Sequence, residues 1–194
     1  VVVGINTRMI YLLYDDGSRS EKVILNELGG CKGIIQSDGY SPYRKLESDA
    51  YPHITRIPCL QHIKRKFIDC GEDEPDAKRI VELINTLYQN EHKHKIGVDG
   101  WTVEQNLVHR KKYAPDILGE IKDVLDDIEE RGDLLPKSEL KEAVTYLRNE
   151  WNAVVDIFNY GDTYLDNNIV ERMNRYISLS RKNSLFFGSH KGAE

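Results

Sequence analysis

The apolar residues of this chain follow two different periodicities. Up to residue 70, short β-branched and aromatic runs alternate with turn residues, which is typical of strands joined by short connections. From Pro75 to Phe158, apolar residues recur at helical spacing, and no strand pattern occurs among them. The pattern therefore predicts an α/β segment followed by a segment of mostly helical character.

Strands and short helices are predicted in the first segment. Val1–Ile5 and Met9–Tyr14 predict a hairpin. A brief apolar strand that begins at Gly33 ends in Asp38 and a glycine. The remaining elements are a capped helix at 20–28, a helical turn at 43–46, a strand at 53–59 and a basic helix at 60–69.

Helices are predicted for the rest of the chain, at 77–91, 102–113, 117–131 and 137–158 and again around Glu171. One face of the last helix is apolar and comprises Ile169, Val170, Met173, Tyr176 and Ile177. Another face comprises Glu171, Asn174, Arg175 and Ser178. We expect this helix to dock on a core and to hold a carboxylate and an arginine outward.

Composition limits the class of protein. With 194 residues and 40% hydrophobic content, the chain can form one domain or a domain with a large insertion. It contains no run of eighteen apolar residues and no signal-peptide pattern, so no membrane partner is expected. Its three cysteines are an odd number without disulfide spacing, which indicates a reducing compartment, and the expected location is the cytoplasm.

The charge is distributed unevenly. A net charge of −5 argues mildly against nucleic acid as the partner. However, acidic residues collect at 71–76 and 120–133, whereas basic residues collect at 64–66, 110–112 and 172–182. A basic face is therefore compatible with the negative total.

Two carboxylates are the candidates for chemistry, and each has a plainer interpretation. Asp38 ends a predicted strand, where α/β folds place reactive groups, but Asp38-Gly39 is also a common turn. Glu171 could hold a ligand, complete a capping box with Asn168, or pair with Arg175 one turn further on.

Other chemistries find less support in the sequence. Cys59 and His62 have the spacing of half a zinc site, but no second pair with matching spacing exists. The chain has neither a Gly-x-Ser-x-Gly elbow nor a phosphate-cradling glycine loop, so acyl transfer and nucleotide hydrolysis are disfavoured.

Three motifs in order resemble a known family. They are QSDGY at 36–40, CLQHIKRKF at 59–67, and LDNNIVERMNR followed by SRKNSLFFGSHKGAE at 165–194. Together they resemble the catalytic domain of bacterial DDE transposases, specifically those of insertion-sequence family sixty-six. The resemblance covers essentially the whole chain and is weakest in the helices from Pro75 to Lys137.

The resemblance implies an α/β, RNase H-like mixed sheet with a large all-helical insertion. Residues 1–70 would form the N-terminal part of the core, 71–160 the insertion, and 161–194 the C-terminal part with the glutamate helix. Three acidic residues of the family bind two magnesium ions, for which manganese can substitute. By motif, Asp38 corresponds to the second aspartate and Glu171 to the closing glutamate. The first aspartate is expected upstream of Val1, so this chain, taken as a fragment, is expected to be inactive alone.

The resemblance also implies DNA strand cleavage and strand transfer, with transposon ends and target DNA as partners and a homo-oligomer as the active complex. Cys59 and His62 match a family signature and could order the site edge, touch DNA or pack. Basic and amide side chains beside the motifs are candidates for DNA contacts, although each alone could be a solvated surface group: Lys64, Arg65, Lys66, Arg172, Arg175, Arg181, Lys182 and Asn183.

Two other functions stay open. An inactive transposase remnant could bind DNA or a partner subunit, and a structure-selective nuclease could share the metal site without joining strands. The transposase and the nuclease functions both require that Asp38 and Glu171 meet at one edge of the sheet.

Overall fold

The computed structural model describes residues 2–4, 9–11 and 20–183, and the side chains of residues 177 and 180–183 lie outside that description. The described residues form a mixed α/β structure that is mostly helical. Its elements in chain order are β1 (Val2–Gly4), β2 (Met9–Tyr11), α1 (Glu21–Leu28), β3 (Gly33–Ser37), α2 (Ser41–Arg44) with a 3₁₀ turn (Lys45–Glu47), β4 (Ile54–Pro58), α3 (Leu60–Asp69), α4 (Pro75–Glu91), α5 (Val103–Arg131), α6 (Glu139–Ile157) and α7 (Asn168–Asn183).

The chain divides into two compact units. The first unit consists of Val1–Gly33, Tyr40–Thr55 and Asn167–Glu194. The second consists of Ile34–Gly39 and Arg56–Asp166. The chain therefore passes between the units at several points.

The first unit contains the predicted hairpin. β1 and β2 pair antiparallel, with Val3 opposite Ile10. The chain after α1 is fastened to the segment before β4, because the Gly33 amide donates to the His53 carbonyl at 2.9 Å and a ring nitrogen of His53 lies 3.0 Å from the Gly29 carbonyl. These bonds fix the start of β3.

The second unit is built on four amphipathic helices, α3 to α6. Their apolar faces follow the helical spacing seen in the sequence, and this periodicity places them in one continuous core. Fully buried members of this core are Ile63, Phe67, Ile80, Ile84, Leu87, Leu125, Ile128 and Leu147. The sheet formed by β3 and β4 borders this core through Ile57.

Helix α5 corrects one prediction. Two helices were expected at 102–113 and 117–131, but the structure forms one helix, Val103–Arg131, which continues through Pro115. A proline in a helix interior removes one backbone hydrogen bond. Here Ala114, Ile117 and Leu118 are all buried, so core contacts on both sides of Pro115 hold the helix together.

The coarse predictions agree with the structure. The hairpin, the strand that ends at Asp38 and the basic helix at 60–69 are confirmed. Strand pairing in the described residues is limited to two sheets of two strands each. The predicted divisions at 1–70, 71–160 and 161–194 stay predictions. Among the helices of the described chain, none is long and apolar enough to cross a membrane.

Candidate functional site

Asp38 follows β3 directly, at the tip of the strand, as predicted. The preceding residue, Ser37, is buried, and its hydroxyl donates to the Asp38 carbonyl at 2.9 Å. Asp38 itself is half-buried, so its carboxylate keeps some access to solvent. The short side chain of Ser37 thus restrains the backbone from which the candidate carboxylate projects.

A buried ion pair lies behind this strand tip. Arg56 of β4 donates from Nη1 to the Ser37 hydroxyl at 3.4 Å and from Nη2 to the Glu150 carboxylate of α6. The side chains of Arg56 and Glu150 are 0% and 1% exposed. Removing two charges from water is costly, and only close pairing and further hydrogen bonds compensate for it. The pair therefore joins β3, β4 and the long helix α6 at one point.

Tyr146 approaches the same turn from α6, one helical turn before Glu150. A Cβ at position 39 would overlap the hydroxyl and ring of Tyr146, so Gly39 allows this contact. Burial, followed by the carboxylates of Glu150 and Asp38, raises the pKa of Tyr146 to about 12. At neutral pH the hydroxyl is thus protonated and lies within the field of the Asp38 carboxylate.

Replacing Gly39 by alanine should therefore lower the free energy of unfolding by about 1–3 kcal/mol, because the new methyl group overlaps the Tyr146 ring. The measurement is equilibrium unfolding by denaturant. Gly30→Ala is the matched control, since a Cβ there has no neighbour within 4 Å. The cost should disappear in a Tyr146→Ala background, and equal costs with and without Tyr146 would contradict this explanation.

The segment that leads to the glutamate helix lies along β3. The Gln36 side chain donates to the Pro58 carbonyl at 3.1 Å and to the Tyr164 carbonyl at 2.8 Å. The amide of Leu60, the first residue of α3, donates to the Leu165 carbonyl at 2.9 Å. Within the second unit, the first motif is therefore bonded to the residues that directly precede the second and third motifs, and those two motifs are bonded to each other.

Cys59 and His62 lie at the start of α3. Cys59 is buried, and His62 is half-buried one turn into the helix. Burial, then the neighbouring Asp166 and Cys59, raises the pKa of Tyr88, so both residues lie near the Tyr88 hydroxyl. In the part of the chain that the structure describes, no three His, Cys, Asp or Glu side chains group as a metal site would require.

Glu171 lies in the first turn of α7, in the first unit, and is half-buried. The predicted cap is displaced by one residue, because the first helical amides, of Val170 and Glu171, donate to the carbonyl of Asn167 rather than of Asn168. The predicted apolar face is also shorter than expected: Ile169, Val170 and Met173 are half-buried, but Tyr176 is 69% exposed. Among the side chains of α7 that the structure describes, burial is therefore greatest in the first turns.

The two candidate carboxylates belong to different units, Asp38 to the second and Glu171 to the first. Their meeting stays a prediction. Both are half-buried side chains that supply hard oxygen ligands, and this donor chemistry fits magnesium, which often takes only one or two protein carboxylates.

The candidate DNA-contacting residues fall into three groups. Arg65, Lys66, Arg172 and Arg175 are exposed, and Lys64 is half-buried. The side chains of Arg181, Lys182 and Asn183 lie outside the described residues.

Sequence reasoning missed Arg56, Glu150 and Tyr146. One signal was available, since Arg56 places a charge in β4 between the apolar residues Ile54 and Ile57. A charge at such a position needs a partner when the strand is buried. The identity of that partner, 94 positions away on α6, has no local signal.

Comparison with known proteins extends the resemblance. The family model described as "Transposase IS66 family" matches residues 3–194. Three uncharacterized proteins of Sinorhizobium fredii are similar: y4jD is 30% identical over 91% of this chain, y4qI is 28% identical over 97%, and y4hP is 26% identical over 94%.

In each case the match covers 35% of the relative's own length, so this chain spans about a third of the curated relatives it matches. No solved structure matches. The family model covers nearly every residue, including all three motifs and the strand tip at Asp38. The chain therefore belongs to the IS66 family of transposases.

Proposed function

We propose that this chain supplies two carboxylates, Asp38 and Glu171, of the catalytic centre of a DDE transposase with an RNase H-like core, and that this centre, completed by the first aspartate of the family, cleaves and transfers DNA strands with the help of magnesium. One observation carries the proposal. Asp38 projects from a strand tip whose backbone is held by Ser37, and the buried Arg56–Glu150 pair supports that serine. A solvated turn would need no such support, whereas a carboxylate that must hold its position does.

Asp38 and Glu171 would hold magnesium, with the first aspartate of the family as a third ligand. When bound, the metal would polarise the scissile phosphate and lower the pKa of the attacking water. In cleavage, the water oxygen forms a bond to phosphorus, the bond to the 3′ oxygen breaks, and that oxygen takes up a proton. In strand transfer, the freed 3′-hydroxyl attacks a target phosphodiester in the same way.

Exposed basic residues beside the motifs would contact the DNA backbone. Arg65 and Lys66 lie on α3, and Arg172 and Arg175 lie on α7 in the two turns that include Glu171. Contacts of this kind orient the duplex without reading its sequence. Transposon ends and target DNA are the proposed substrates, and a homo-oligomer is the proposed active form because two ends must be joined.

The experiment is magnesium-dependent cleavage by the protein as its gene encodes it, on a labelled duplex that carries the DNA flanking that gene. Asp38→Asn and Glu171→Gln should each reduce cleavage to the level seen without metal. Asp49→Asn and Glu130→Gln, which change exposed carboxylates, are the controls and should leave cleavage unchanged.

The products separate this proposal from its alternatives. Joined strands support a transposase, and nicked strands without joining support a nuclease. DNA binding without cleavage in either manganese or magnesium supports an inactive remnant. Full activity in both carboxylate variants would overturn the assignment of Asp38 and Glu171.

A further inference from the structure

An open groove runs along the second unit between α3 and the start of α6. Its volume is about 460 Å³, which is within the range of ligand sites in proteins. Six of the residues along it are Lys66, Lys137, Lys141, Glu142, Tyr146 and Asn149. Only Lys66 was a candidate for DNA contact from the sequence.

Positive charge dominates this groove. Three lysines line it against one glutamate, Glu142, and all three are exposed. Among the described residues, none of the three lysines forms an ion pair, whereas Arg79, Arg131 and Arg148 are each paired with a carboxylate. In a chain of net charge −5, the groove carries a local excess of positive charge. Its ligand should be an anion.

The backbone at the lip of the groove is shaped in an uncommon way. Lys137 has a φ of 68°, in the left-handed region that few residues with a side chain adopt. It directly precedes Ser138, whose hydroxyl accepts from the Lys141 amide at 3.2 Å and caps α6. The left-handed turn at Lys137 and the Ser138 cap together place Lys137 and Lys141 along the same groove. Strained backbone of this kind is concentrated at functional positions.

Tyr146 connects the groove to the candidate catalytic turn. The ring lines the groove, and the same ring lies against Gly39, the residue after Asp38. An anion that extends along the groove would therefore approach Asp38. Three lysines along one open groove suit a chain of phosphates, which can place a phosphate at each lysine, better than a single compact anion.

We propose that Lys66, Lys137 and Lys141 bind the phosphodiester backbone of a DNA strand and direct that strand past Tyr146 to Asp38. This inference rests on the proposed function, because it assigns the path of the DNA to that site. Lysines are point charges on flexible stems, so they hold successive phosphates without selecting a base. The helices α3 and α6 thus contribute part of the DNA-binding surface, in addition to stabilising the core.

The test is the salt dependence of DNA binding, measured by fluorescence anisotropy with a mixed-sequence single strand and with a duplex of equal length. The protein is used as its gene encodes it. The variant Lys66→Gln/Lys137→Gln/Lys141→Gln removes three phosphate contacts. The slope of log affinity against log salt concentration should become shallower by about two to three units.

A matched control removes three exposed lysines elsewhere on the same unit, Lys78→Gln/Lys111→Gln/Lys112→Gln, with the same change in net charge. Its slope should change by less than one unit. Equal changes in the two variants, no change in the groove variant, or a parent protein that does not bind DNA would overturn the inference. Thermal unfolding of both variants checks that the fold is retained.

The outcomes for the groove and for the proposed chemistry are separable. Asp38→Asn should abolish cleavage and leave the salt slope unchanged. If the salt dependence of DNA binding becomes shallower in the groove variant while the parent protein cleaves no DNA, the proposed DNA-binding role of the groove is supported and the catalytic proposal fails. If the parent cleaves DNA and the groove variant binds DNA as tightly as the parent, the proposed DNA-binding role of the groove is wrong and the catalytic proposal is supported.

Discussion

Replacing Arg110 by methionine should lower the free energy of unfolding by about 3–5 kcal/mol. Arg110 lies on α5 and is 1% exposed. Its Nε and Nη2 donate to the two carboxylate oxygens of Glu91 at 2.8 and 2.6 Å. The same guanidinium donates to the carbonyls of Ile157 at 3.1 Å and Tyr160 at 2.6 Å, and to both the hydroxyl and the carbonyl of Thr163.

The cost arises from the groups that the guanidinium would leave behind. After the end of α6, the carbonyls of Tyr160 and Thr163 would lose the donor that the guanidinium supplies, and an unsatisfied buried polar group costs about 1–3 kcal/mol. The Ile157 carbonyl would keep the Thr163 hydroxyl as a donor. Glu91 would keep the hydroxyl of Tyr113 as a donor but would lose its positive partner. The methylene groups of methionine replace only the apolar part of the arginine stem.

Three measurements make this prediction specific. Arg79→Met removes an exposed pair with Glu120 and should cost no more than about 1 kcal/mol. Arg110→Lys keeps the charge but loses the planar fork, so it should recover only part of the stability. Equal unfolding free energies for the Arg79 and Arg110 variants would show that the Arg110 cluster is open to water.

Arg110 also bears on the candidate site. The segment that it fastens, from Ile157 to Thr163, leads directly into the residues that bond to β3 and α3. When that segment is released, the Tyr164 carbonyl should no longer be held against Gln36. Hydrogen exchange at the Leu60 amide, which donates to the Leu165 carbonyl, should therefore quicken in Arg110→Met.

The hydrophobic periodicity predicted the helices and strands of this chain well because the secondary structure of each element depends mainly on the residues within it. The run that ends at Asp38 is apolar and β-branched, and the helix at 60–69 places Leu60, Ile63 and Phe67 on one face, which the structure buries. The break expected between residues 113 and 117, where Pro115 lies, was wrong for the opposite reason. Proline is a local signal, and the buried contacts of α5 with its neighbours outweigh it.

The supports of the candidate site could not be predicted because they join distant positions. Glu150 has no feature in the sequence that distinguishes it from the exposed glutamates of the same helix, yet it is 1% exposed and paired with Arg56. Lys137 and Lys141 are also ordinary lysines in the sequence. Only the packing of α6 against α3 places them beside Lys66.

The buried pair gives the second large effect. Arg56→Met and Glu150→Leu should each lower the free energy of unfolding by about 3–5 kcal/mol, because each leaves the other member of the pair in a site sealed from water. The double variant Arg56→Met/Glu150→Leu should be close to the parent protein or above it in stability, since well-packed apolar residues can replace a buried pair without loss. Denaturant unfolding of all four proteins gives the coupling energy directly.

The double variant separates stability from function. In the double variant, apolar side chains fill the space of the buried pair. The Ser37 hydroxyl has nevertheless lost the Arg56 donor, so the restraint on the Asp38 backbone is weaker. We expect its strand cleavage to stay well below that of the parent while its unfolding free energy recovers. Recovery of both would show that the pair contributes only to packing, and single variants that cost less than about 1 kcal/mol would show that water reaches the pair.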